Sequence, residues 1–190
     1  MKQNSENPFF GTYRTPFETP PFDQIETEHY EPAFDEGIRQ LDEEVRAIAD
    51  NAELPTFENT IVALERSGKL LDKVSSAFFN VLNAEADDEM MDISQRVSPK
   101  LSESSNNIYL NEKLFARVKS VYDQKEELHL PTEDARLLEE TFEAFSVRGA
   151  ALGPENKEKY RRLSSELSLL SLTFDQNALK DKNRYELLLT

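Results

Sequence analysis

Apolar residues recur along most of this chain at intervals of three and four, the repeat of helices that bury one face. Phe34, Ile38, Leu41, Val45 and Ile48 are spaced four, three, four and three. They predict a helix over about 32–50, opened by Pro32, a residue suited to a first helical turn. Residues 51–55 read as a turn. Thr56 reads as an N-cap, with Glu58 placed to complement the helix dipole. Ile61, Leu64, Leu71, Val74, Phe78 and Val81 carry this second helix to about residue 83, broken only by Gly68. Asp87 and Asp88 open a third, bearing Met91, Val97, Leu101, Ile108 and Leu110. Pro99 inside it should kink it or end a turn. A fourth covers about 112–127, with Leu114, Phe115, Val118, Val121 and Tyr122 inward.

Leu130 and Pro131 mark a break, and Thr132 is the expected cap of a fifth helix. Its stripe is Leu137, Leu138, Phe142 and Phe145, ending before Gly149 or Gly153. Pro154 restarts the chain as a first-turn residue. Leu163, Leu167, Leu170, Phe174 and Ala178 then follow at four, three, four and four, a coiled-coil-like seam. The pattern predicts an all-α fold, an elongated bundle of about six helices over residues 26–181.

The two ends differ from this repeat. Residues 1–25 hold Pro8, Pro16, Pro20 and Pro21, with Phe9, Phe10, Phe17 and Phe22 among them. Proline at this density blocks helix, while the aromatics have area worth burying. An extended arm packed across the fold is expected there. At 182–190, Tyr185, Leu187 and Leu189 alternate with Glu186, Leu188 and Thr190, the period of a strand. A lone strand leaves its backbone groups unpaired, so its partners are expected beyond Thr190.

Composition narrows the function. The 190 residues carry 37 acidic and 22 basic side chains, a net charge of −15. A polyanion would be repelled, so no nucleic-acid partner is expected. No apolar run approaches a membrane span or a signal peptide, which predicts no membrane partner and a cytoplasmic protein, unless an export signal has been removed. There is no cysteine, so thiol catalysis, disulfides and iron–sulfur clusters are excluded within these residues.

Candidate chemistry is sparse. Zinc-dependent peptide hydrolysis on a helix needs His-Glu-x-x-His, two imidazoles on one face with a glutamate as base. The two histidines here, His29 and His129, stand a hundred positions apart, and neither is followed by Glu. No catalytic, cofactor-binding or metal position is therefore assigned to this chain. Gly149 and Gly153 make no nucleotide loop, having no following lysine. Glu26 with His29, and Glu126 with His129, form two Glu-x-x-His pairs, the elements of a di-iron bundle. Both lie at helix ends near Pro32 and Pro131, whereas di-iron ligands project from mid-helix. His29 is expected to be a partly buried, hydrogen-bonded residue near the first cap, and Phe78-Phe79 core.

Several runs, in order, resemble the N-terminal region of the bacterial dipeptidyl carboxypeptidases, a branch of the thimet oligopeptidase family of zinc metallopeptidases. They are Asn7-Pro8-Phe9-Phe10, Pro21-Phe22-Asp23 and His29-Tyr30-Glu31-Pro32-Ala33-Phe34-Asp35-Glu36-Gly37. Pro55-Thr56-Phe57-Glu58-Asn59-Thr60-Ile61 follows, leading to Ala63-Leu64-Glu65-Arg66-Ser67-Gly68. Ile108-Tyr109-Leu110-Asn111, Leu114-Phe115-Ala116-Arg117-Val118, Arg136-Leu137-Leu138-Glu139 and Arg148-Gly149-Ala150 complete the series, which spans residues 7–190.

The resemblance implies a largely helical, two-lobed enzyme around a deep channel, with its zinc motif far downstream of this region. There a zinc-bound water would attack the peptide carbonyl, with Glu as base. The present helices would form a wall and lid that admit short peptides and exclude folded proteins. Zinc is thus the cofactor of the full-length enzyme and not of these residues, which alone should cleave nothing. The implied partners are short peptides and the missing C-terminal catalytic lobe, and exposed apolar surface could drive self-association. A stand-alone helical interaction module is the alternative, and a di-iron bundle a third.

Overall fold

The structure, a computed structural model, describes residues 7–85 and 87–184. Every regular element among them is helical: α1 (Tyr30–Ala49), α2 (Ala63–Glu65), α3 (Lys69–Glu85), α4 (Asp88–Tyr109), α5 (Glu112–Tyr122), α6 (Thr132–Val147) and α7 (Pro154–Arg184). Six of these are long, as the apolar repeat predicts, and α2 is a single turn.

Two apolar cores share α1. Its N-terminal half packs on α3 and α4 through Ala33, Phe34, Val74, Phe78 and Val97, and Phe9 from the N-terminal segment joins them. Phe78 meets Phe34 and Phe79 edge to face, with ring centroids 5.3 and 5.2 Å apart. The C-terminal half of α1, through Val45 and Ile48, packs with Ile61, Leu114, Val118, Leu138 and Phe145 in the second core. Leu41 touches both. Gly37 lets α1 lie against α3: a Cβ there would stand 3.0 Å from the Leu71 Cα.

Several boundaries differ from expectation. The first helix begins two residues before Pro32, at Tyr30, whose buried ring anchors the start. Thr56 caps as predicted, accepting from the Asn59 amide, but the turns it opens are π-helical over Phe57–Val62 before passing into α2. The single helix predicted over 56–83 is divided at Gly68, where φ is +76° and the amide donates to the Glu44 carboxylate at 2.7 Å. Asp87 caps α4 as expected, and the helix continues through Pro99. The fourth helix stops at Tyr122, and residues 123–129 form turns. Thr132 is the first residue of α6 and not its side-chain cap. Gly149, with φ +89°, ends α6: its amide donates to the Ser146 carbonyl, and Ala150 to that of Phe145.

The N-terminal segment is not a simple extended arm. It is punctuated by 3₁₀ turns at Pro8–Phe10, Pro16–Glu18 and Thr27–His29. Phe9 is buried, whereas Phe17 and Phe22 face solvent. Lys73 fastens this segment by donating to the Phe9 and Gly11 carbonyls at 2.9 and 2.7 Å, with its ammonium 3.7 Å from the Tyr13 ring centre. At the other end, residues 182–184, assigned to a strand from the sequence, belong to α7. The rest of that expected strand, 185–190, lies outside the described residues.

The largest departure is the face of α7. Leu163, Leu167, Leu170 and Phe174 point to solvent, with exposures of 49, 64, 61 and 72%. The helix meets α4 instead through a face of small and polar residues on which Leu172 and Leu179 are also half-buried. Asn106 donates to the Ser164 hydroxyl at 2.9 Å, and Gln176 pairs with Gln95 and Ser94, each at 3.1 Å.

Candidate functional site

The two histidines are not brought to a common centre. His29 ends the 3₁₀ turn before α1, where its Nδ1 accepts the Glu26 amide at 2.9 Å. It is half-buried and serves as a cap, as its position before the first helix predicts. His129 is exposed in the turn between α5 and α6, with φ +45°. Among the described residues no three His, Cys, Asp or Glu side chains cluster in a way that could hold a metal ion. The Glu-x-x-His pairs therefore do not converge, and the residues described do not fit zinc.

A built polar centre lies instead around Arg117, on the inner face of α5. This residue is buried, and its partners among the described residues are carbonyls, an amide and a hydroxyl. One terminal nitrogen donates to the Asn51 and Glu53 carbonyls at 2.8 and 3.0 Å. The other donates to Asn59 Oδ1 at 3.0 Å and Thr60 Oγ1 at 3.3 Å. Asn59 in turn donates to the Leu54 carbonyl at 3.0 Å. The guanidinium thus gathers the 51–60 loop and the capped start of the π-helical segment onto α5. Two of the runs that carry the sequence resemblance, Pro55 to Ile61 and Leu114 to Val118, meet at this arginine. Nothing in the spacing distinguishes it from the other cations, so sequence reasoning left its role unassigned.

An open groove of about 590 Å³ runs between α1, the end of α4, the start of α5 and α7. Its charges are mixed: Asp42, Asp50 and Glu112 against Arg46, Lys113 and Arg161. Lys113 bonds Asp50 at 2.6 Å and holds that carboxyl below the usual carboxylate range. Arg161 donates to Asn107 at 2.8 Å. Among the described residues, the lining charges of the groove are in part already paired with other lining side chains. A second perturbed pair, Tyr13 and Lys73, belongs to the fastening of the N-terminal segment. Burial pushes the Tyr13 hydroxyl up to about 12, with the neighbouring Tyr30 adding to it, and burial lowers Lys73.

Comparison with known proteins places this helical body among peptidases. No protein-family model matches the chain. The dipeptidyl carboxypeptidase of Escherichia coli is 43% identical over 173 residues, which is 91% of this chain and 25% of that protein. The Salmonella typhimurium dipeptidyl carboxypeptidase is 41% identical over 92% of this chain and 26% of its own length. Oligopeptidase A of E. coli is 25% identical over 87% of this chain. These relatives define the class, a region of a peptidase. Over the residues it covers, the chain is homologous to these dipeptidyl carboxypeptidases. It spans about a quarter of the length of the curated relatives it matches.

Proposed function

We propose that this chain is the N-terminal helical part of a zinc metallopeptidase that removes C-terminal dipeptides from short oligopeptides, or cleaves them internally. The observation that carries this is 43% identity to a dipeptidyl carboxypeptidase along nearly the whole chain. In this role the helices line and narrow a substrate channel, while zinc and the groups that act with it are supplied by polypeptide outside these residues. The chain alone is inactive. Its partners are short peptides and that catalytic lobe, and its net charge of −15 disfavours nucleic acid. A cytoplasmic location accords with the reading; no helix among the described residues is long and apolar enough to cross a membrane.

The test is a polypeptide that begins with this sequence and continues beyond Thr190 to the length of the relatives. It is expected to release dipeptides from short peptides and to spare a folded protein of similar composition. Absence of any peptide cleavage by that longer polypeptide would refute the proposal. The exposed seam of α7 favours a second possibility, a helical module that binds another protein. Cleavage by the longer polypeptide decides between the two.

A further inference from the structure

The apolar seam of α7 is the feature that the described fold leaves unused. Leu163, Leu167, Leu170 and Phe174 are spaced four, three and four, the a/d repeat that a second helix packs against at a shallow crossing angle. All four are exposed, with Leu169 at 41% beside them. A contiguous stripe of this kind differs from the scattered single apolar residues of an ordinary surface. The opposite face of α7 is no substitute for it. Ser164 and Gln176 lie there, meeting Asn106, Ser94 and Gln95 of α4 through hydrogen bonds. Leu172 and Leu179 are half-buried on the same side, so α7 uses part of its apolar surface within its own domain while the exposed stripe stays wet.

We propose that the seam is the docking face for an amphipathic helix of the same polypeptide, supplied from beyond this region. Three observations select that occupant. The relatives are about four times as long as the chain, so ample polypeptide lies outside it. The seam sits on the last described helix, next to the point where such polypeptide would emerge. A second copy is disfavoured because each chain carries a net charge of −15, which opposes self-pairing across a short seam. The inference rests on the proposed peptidase reading in one respect, that the natural polypeptide is longer.

Cysteine labelling tests it, because the 190 residues contain no cysteine. Leu167→Cys is made in the chain and in the longer polypeptide. Maleimide reaction at position 167 is followed by peptide mapping and divided by the rate for the same variant unfolded in urea. In the chain the ratio should be close to that of a free thiol. In the longer polypeptide it should fall by tenfold or more. Equal reactivity in both overturns the proposal, and does so without touching the peptidase reading if the longer polypeptide still cleaves peptides. Protection already present in the chain, growing with its concentration, also overturns it and makes a second copy the occupant. Protection in a longer polypeptide that cleaves nothing would support the docking face while refuting the peptidase reading.

Discussion

Arg117 ties α5 to the 51–60 segment. Its two terminal nitrogens reach four acceptors on the 51–60 segment. A buried guanidinium needs partners for its donors; here both terminal nitrogens have them, while the buried Nε has none among the described residues. Arg117→Met keeps the aliphatic stem but removes the donor to the Asn51 and Glu53 carbonyls, whereas Asn59 Oδ1 keeps the Thr56 amide and the Thr60 hydroxyl. It is expected to destabilise the chain by about 2–4 kcal/mol, read as a lower urea midpoint by circular dichroism. Arg117→Lys should recover little, because one ammonium cannot replace the planar fork. Glu36 acts on the surface of α1. Hydrogen bonds from the Arg39 guanidinium, and then from Gln40, hold its carboxyl down to about 2 against an ordinary 4.5. A depressed carboxylate contributes stability above its unfolded value and loses it as pH falls through the folded one. Glu36→Gln should therefore flatten part of the stability loss between pH 4.5 and 2. The difference should stay below about 1 kcal/mol, since helix-surface pairs are weakly coupled and partly screened.

At the scale of elements, position along the sequence and direction in space were legible to different degrees. The three–four apolar repeat located all six long helices, and Thr56 and Asp87 announced two helix starts through their side-chain chemistry. Boundaries set by other forces were not visible. The start of α1 follows the burial of Tyr30 rather than the preference of Pro32, and α5 ends five residues early in a run of turns. Gly68 was read as a flaw in one helix, yet its positive φ makes it the junction between two. Most instructive is α7, where periodicity located a helix but could not say whether its stripe faces its own domain. Replacing Leu167 and Leu170 together with Gln should change the stability of the chain by less than about 0.5 kcal/mol, the usual range for solvent-facing positions. Phe78→Ala, in the first core, should cost about 3–5 kcal/mol. Thermal unfolding of the two variants side by side checks both expectations, and a large loss from the Leu pair would mean that the seam is buried.

For the whole molecule, α1 is the common spine of two cores, one with α3 and α4 and one with α5 and α6. Polar contacts attach α7 to this body and leave its Leu/Phe seam open. In the proposed reading this body forms part of the wall of a substrate channel. The absence of a hydrolytic motif was legible at once, because the two histidines are too far apart in sequence to share one helix. The proposed role as a channel wall has no local signature, and it rests on ordered runs of residues and on homology over nearly the full chain. The most direct measurement is peptide hydrolysis by the purified 190-residue chain supplied with zinc, with bound metal quantified in the same sample. The account predicts no released dipeptide and no zinc bound in proportion to protein, whereas dipeptide release abolished by a chelator would contradict it.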